Sequence, residues 1–157
     1  MAKFSHLNAK GKAQMVDVGR KRITKRTARA SLTLRMKQKT LQLVKDFKLE
    51  KGDVFSAARL AGIMAAKHTS SLIPLTHPLP LDFVGIELEP RGKDKIEIKS
   101  TVKVTARTGP EMEALVAVVV AGLTIYDMVK AVDRKVTIED VHLLEKSGGK
   151  SGKFIYE

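Results

Sequence analysis

The chain of 157 residues contains no cysteine and no tryptophan. The first absence excludes disulfides, thiolate metal sites and cysteine nucleophiles, and it suits a reducing compartment, so a cytoplasmic location is expected. Aromatic residues make up only 4% of the chain, which leaves few platforms on which nucleic-acid bases could stack. The four histidines lack ligand spacing and there is no loop rich in Asp and Asn, so no metal centre is expected. Long apolar runs are lacking too. The main uncharged one, Ala114 to Tyr126, is shorter than the roughly 20 residues that span a bilayer, and Met1 to Gly19 holds no apolar signal segment. No membrane partner is expected.

Positive charge is abundant: 29 Lys and Arg face 17 Asp and Glu, a formal +12. Such a balance points to an anionic partner, and Arg20, Lys21, Arg22, Lys25, Arg26 and Arg29 concentrate it. A nucleic acid held through its phosphates, a multiply phosphorylated small molecule and a merely solvated basic surface all satisfy that charge. With 43% hydrophobic residues the chain has material for one core, and 1–157 is read as a single domain.

Periodicity outlines the elements. Residues 1–19 form an arm with a short extended piece at Met15 to Val18. Ala28, Ala30, Leu32, Leu34 and Met36 alternate with Arg29, Ser31, Thr33 and Arg35, the period of a half-buried strand. Helices are expected over Thr40 to Phe47 and, capped by Asp53, over Val54 to Ala66. Pro74, Pro78 and Pro80 make Ser70 to Pro80 a loop. Strands Phe83 to Leu88 and Lys95 to Arg107 then pair through a turn at Pro90-Arg91-Gly92. A long helix, Glu111 to Val132, a short strand, Val141 to Leu144, and a mobile Gly/Ser/Lys tail at 146–157 complete the chain. The order β, α, α, β, β, α, β predicts an α+β fold, a ferredoxin-like plait with helices on one face of a mainly antiparallel sheet.

Several side chains are candidates for chemistry. Asp127 and Lys130 emerge side by side at the end of the apolar run; they suit either an i,i+3 salt bridge or a pair whose proton affinities are set for transfer. His77 is fixed between Pro74 and Pro78 and can hold a ligand or simply satisfy local carbonyls. Glu111 and Glu113 favour the first turn of the long helix, and Glu113 also matches the amidine-like edge of a purine or pterin. Glu113 and Asp127 share a helix face but lie about 21 Å apart at 1.5 Å per residue, so one small ligand cannot touch both within one subunit. Lys51 stands before a helix start, and Lys67 at a helix end. Lys146-Ser-Gly-Gly-Lys150-Ser-Gly152 has a phosphate loop's composition without its GxxxxGK[ST] spacing.

Taken in order, Lys51-Gly-Asp-Val-Phe55, Leu72-Ile-Pro-Leu-Thr-His-Pro-Leu79, Glu111-Met-Glu-Ala-Leu115, Leu123-Thr-Ile-Tyr-Asp-Met-Val-Lys-Ala131 and Leu144-Glu-Lys-Ser-Gly-Gly-Lys-Ser-Gly152 resemble one family. That family is the cyclic pyranopterin monophosphate synthases, the molybdenum cofactor biosynthesis protein C family. The likeness spans nearly the whole chain from His6 onward. It departs at Thr76, where many members carry cysteine. The resemblance implies a ferredoxin-like lyase that converts 3′,8-cyclo-7,8-dihydroguanosine 5′-triphosphate to cyclic pyranopterin monophosphate and diphosphate. It further implies a homohexamer, a trimer of dimers, with sites between subunits. At matching positions Asp127, Lys130 and Lys51 would be catalytic. Leu75, Thr76, His77, Met112, Glu113, Lys67, Lys146 and Lys150 would bind substrate. No cofactor is implied, and the question of a divalent ion on the substrate phosphates stays open. A basic nucleic-acid-binding module is the alternative.

Overall fold

The computed structural model describes residues 6–8, 10–150 and 152–157; residues 1–5 and Ala9 of the expected arm, and Ser151 of the tail, lie outside them. Along the chain come β1 (Thr24–Arg35), α1 (Gln38–Lys45), α2 (Val54–Lys67), α3 (Thr69–Leu72), β2 (Leu81–Arg91), β3 (Lys95–Ala106), α4 (Glu111–Val129), β4 (Thr137–Ser147) and β5 (Phe154–Ile155). The strands form one sheet in the order β2-β3-β1-β4-β5, with each pair antiparallel. Strands one to four with helices after the first and third make the expected ferredoxin-like plait.

Alternation decides which face of the sheet is covered. Ala28, Ala30, Leu32 and Leu34 of β1 are fully buried, and Ile98 and Val102 of β3 stand opposite Leu32 and Ala28. α4 packs across β1, β3 and β4, and α2 lies beside it over β2. The two helices approach closely because Gly62 has no side chain: a Cβ there would lie 2.9 Å from the Ala117 carbonyl oxygen. The other face carries charge, with Arg35 bridging Asp94 and Glu139. Helix α4 is long and apolar enough to cross a membrane by length and composition, but it is packed against this sheet and α2.

Element ends depart from the periodic reading for local reasons. β1 begins four residues before Ala28, since Thr24 pairs with Ala106. β2 runs through Pro90 and Arg91, which were expected in the turn; an edge strand tolerates a proline, and the reversal falls at Gly92, φ 60°. α1 stops at Lys45, and Phe47 turns to φ 55° and into solvent instead of extending the helix's apolar side. A short helix, α3, occupies the start of the expected loop. α4 ends at Val129, so Lys130 is its C-cap. Residues 15–18 form no strand; among the described residues the arm makes one bridge, Leu7 to Ala13. β4 spans eleven residues, and irregularities opposite Arg29/Ala30 and Ser31/Thr33 break its alternation. Within the expected tail, Lys146 and Ser147 end β4 and Phe154 returns to pair with Lys146.

One buried charge organises the end of α4. Asp133 is 1% exposed and accepts hydrogen bonds from Lys37 N at 2.8 Å, Thr40 Oγ1 at 3.0 Å and Lys135 N at 3.1 Å. Burial alone would raise its pKa, but these donors outweigh it and hold the carboxyl below the usual range. The start of α1 is thereby tied to the turn after α4.

Candidate active site

A cavity of about 440 Å³ opens at the N-terminal end of α4. The proline-stiffened loop supplies one wall. Its turn is closed by Thr76, whose N–H and hydroxyl both donate to the Ile73 carbonyl at 3.2 and 2.8 Å, and Leu75 and His77 on either side line the cavity with it. Thr76 thus has a side-chain task of its own. The first turn of α4 adds Met112 and Glu113, and β4 adds Lys146, whose Nζ lies 3.1 Å from Glu111 Oε1. Glu113 is only 3% exposed. Burial pushes its carboxyl up to about 7; a hydrogen bond from its own backbone opposes the rise, and the negative charge of Glu111 adds to it. Near neutral pH this group can give or take a proton.

The cavity also has walls that spacing did not single out. His6, Val16 and Val18 come from the arm, and Arg107 follows β3. Lys21 and Arg26, both from the basic stretch, line it as well. Arg26 is held in place by donating Nε to Ala106 O at 3.2 Å and Nη2 to Arg107 O at 3.1 Å. Its charge therefore faces the cavity from a fixed position. Composition carried a signal for these two cations; nothing in the sequence marked Arg107.

Asp127, Lys130 and Lys51 come together at the opposite end of α4. Lys51, from the α1–α2 connection, donates Nζ to Asp127 Oδ2 at 3.0 Å and to the Asp127 carbonyl at 2.9 Å, while Lys130 Nζ lies 2.5 Å from Asp127 Oδ1. Lys51 is 76 residues away in sequence, so only the fold assembles this trio. The expectation that burial tunes the pair is not met within one protomer, because Asp127 is 57% and Lys130 54% exposed. Hydrogen bonds from Lys130 and then Lys51 hold the Asp127 carboxyl below its ordinary range, and the same contact raises Lys130. Alone, the trio is an ionised, charge-paired group.

Two further candidates stand apart from both clusters. Lys67, at the end of α2, lines a shallow recess with Leu81, Asp82 and Phe83 of β2. Lys150 lines a basic cavity adjoining the first. Among the described residues no group of three or more His, Asp or Glu side chains gathers as a metal site. The stripe Val120, Leu123, Asp127, Lys130 follows helical spacing; Val120 is half-buried and Leu123 is 50% exposed, so one apolar side chain stands uncovered beside the trio.

Residues 15–149 match the model of the MoaC family. Cyclic pyranopterin monophosphate synthase 3 of Mycobacterium bovis (strain ATCC BAA-935 / AF2122/97) is 55% identical over 151 residues, covering 96% of this chain and 85% of that protein. The proteins of the same description in Mycobacterium tuberculosis strains CDC 1551 / Oshkosh and ATCC 25618 / H37Rv match with the same identity and coverage.

Proposed function

The chain belongs to the MoaC family, and from that premise we propose how its two clusters divide the chemistry of a cyclic pyranopterin monophosphate synthase. It is a lyase of molybdenum cofactor biosynthesis acting on a nucleotide-derived small molecule, 3′,8-cyclo-7,8-dihydroguanosine 5′-triphosphate. The observation that carries the site reading is convergence: Leu75, Thr76, His77, Met112, Glu113 and Lys146, drawn from three separate segments, line one cavity. Glu113 receives the N–H edge of the base, His77 and the loop hold the rings, and Lys146, Lys21 and Arg26 meet phosphate oxygens. The comparisons give no support to a nucleic-acid-binding module.

Asp127, Lys130 and Lys51 carry the proton transfers of ring opening and closure. Two copies meet along the Leu123 side of α4, and the trio of one faces the cavity of the other; the whole is a hexamer, a trimer of dimers. This reading is supported by the separation of about 21 Å along α4 between Glu113 and Asp127 and by the exposed Leu123. Covering the trio with a second copy and substrate removes water, which moves Asp127 up and Lys130 down towards the range where protons exchange. In the phosphoryl step a substrate hydroxyl oxygen bonds to the α-phosphorus and that phosphorus loses its bond to the α,β-bridging oxygen. The electron pair leaves on diphosphate, and the hydroxyl proton passes to a basic group of the site. Side-chain cations serve the leaving oxygens.

Incubating the protein with the cyclised triphosphate tests this directly. Pterin product and diphosphate should appear together, and Asp127→Asn or Lys51→Ala should remove both while leaving the oligomer intact. Near-normal turnover by either variant would take that residue out of the mechanism.

A further inference from the structure

Asp133 is a buried charge that belongs to neither cluster. It stands three residues beyond Lys130, is 1% exposed, and divides its partners between two parts of the chain. Oδ1 accepts from Lys135 N at 3.1 Å, within its own turn. Oδ2 accepts from Lys37 N at 2.8 Å and from Thr40 Oγ1 at 3.0 Å, both at the start of α1. Lys37 is the N-cap of α1, and its side chain makes no capping hydrogen bond. The carboxylate that serves the first turn of α1 therefore comes from just past the end of α4. Asp133 N in turn donates to Val129 O at 3.0 Å, which fastens it to the last turn of that helix.

Residues 37–51 are clipped at both ends to residues 127–133. Asp133 grips the start, and at the finish Lys51 Nζ returns to Asp127, 3.0 Å from Oδ2 and 2.9 Å from the carbonyl. Between the clips the chain leaves α1 through Phe47, at φ 55°, and passes a turn in which Gly52 N donates to Leu49 O at 3.0 Å. Little else fixes α1. Its buried side chains are Thr40, Leu41 and Val44, and among the described residues no other named element packs broadly against it. The two clips differ in strength. Lys51 and Asp127 are 47% and 57% exposed, and an exposed ion pair does little to hold a segment in place. A buried carboxylate with three donors resists any shift of its partners, because each donor left behind goes unsatisfied.

We infer that Asp133 is a positioning residue for the charged trio: by fixing the start of α1 against the last turn of α4, it sets where the connection beyond α1 delivers Lys51 to Asp127. Its effect on turnover rests on the synthase reading given above; its effect on Lys51 rests on the fold alone. Asp133 acts at a distance, since its own hydrogen bonds and ion pair go to Lys37, Thr40 and Lys135. A misplacement of about 1 Å at a reacting group is enough to slow a reaction on the order of a hundredfold. The ring-binding cavity lies at the other end of α4, so substrate affinity should be spared.

Two readouts test this, one without turnover. The folded oligomer is acetylated with a limiting amount of acetic anhydride, and the extent at each lysine is read by peptide mass spectrometry. In Asp133→Ala, labelling of Lys51 should rise at least threefold while that of Lys67 and Lys103 stays constant. In the same variant kcat should fall at least tenfold, with KM within about twofold of the wild type. Thr40→Val removes one of the three bonds and should move both readouts the same way by less, and Thr40→Ser, which keeps the hydroxyl, should restore them. If Asp133→Ala does not fold, the Thr40 pair is read by the same criteria. Unchanged Lys51 labelling in a folded variant overturns the inference, whatever the rate does. A loss of activity carried by KM with kcat retained also overturns it, as does a fall in melting temperature with both readouts unmoved, which leaves Asp133 to stability alone. If Asp133→Ala frees Lys51 but the wild type makes no pterin, the synthase reading fails and the positioning stands. Normal synthesis with Lys51 indifferent to Asp133 defeats only the positioning.

Discussion

Glu113 is a carboxyl buried to 3% exposure with a pKa near 7, and its cost can be read in the stability of the fold. The native value is raised above the ordinary one of 4.5, so between these two values the native state binds more protons than the unfolded chain. Stability therefore falls as pH rises through that window and levels off above it. The full shift corresponds to roughly 3 kcal/mol. Glu113→Gln should match the wild type at pH 4 and exceed it by up to about 3 kcal/mol at pH 8, in urea unfolding at fixed protein concentration. Equal urea midpoints at both pH values would mean that the carboxyl is ionised and solvated. The sequence marked Glu113 by its place in the first helical turn and its match to a purine edge. It gave no sign that this acid would be the one set near neutrality, because burial depends on how the arm, the loop and α4 close together. For Asp127 the opposite holds. Its spacing from Lys130 was visible, but Lys51, the second cation on its carboxylate, arrives from a connection that spacing within one helix cannot reveal.

Strand β1 was legible from its uninterrupted period of two, α2 from its alanines and the Asp53 cap, and α4 from its apolar run behind a start at Gly109-Pro110-Glu111. β4 was seen only as Val141 to Leu144, since its irregular register against β1 disrupts alternation along the eleven residues that actually pair. At the end of β4 the chain turns through Gly148 at φ 93°, and a Cβ there would strike the Lys25 carbonyl oxygen. The turn lies directly on β1, next to the basic cavities. Gly148→Ala forces the backbone out of the left-handed region and lifts the turn, so a destabilisation of about 1–3 kcal/mol is expected. Thermal melting checks the size of the loss, and a raised KM with smaller change in kcat checks that the turn holds Lys146 and Lys150 towards the ligand. A variant with wild-type melting and KM would show that this contact is dispensable.

The molecule as a whole places its proposed ring-binding cavity and its charged trio at opposite ends of one helix, and the site proposed above draws on two copies. That arrangement predicts complementation. Asp127→Asn and Glu113→Gln, each poorly active alone, should recover turnover after being unfolded together and refolded at equal concentration, because about a quarter of the sites then join an intact trio to an intact cavity. Activity no higher than the mean of the two parents would place both clusters in the service of one chain. β1 is also central in another sense: it pairs with β3 on one side and, through Thr27 opposite Ser147, with the far end of β4 on the other. During synthesis the ribosome releases β1 early and the strands that flank it much later. For most of that time the nascent chain carries a strand with two open edges, a sticky object that cellular chaperones are suited to shield. Lys146, on the later of the two strands that flank β1, joins the cavity only once that strand has paired.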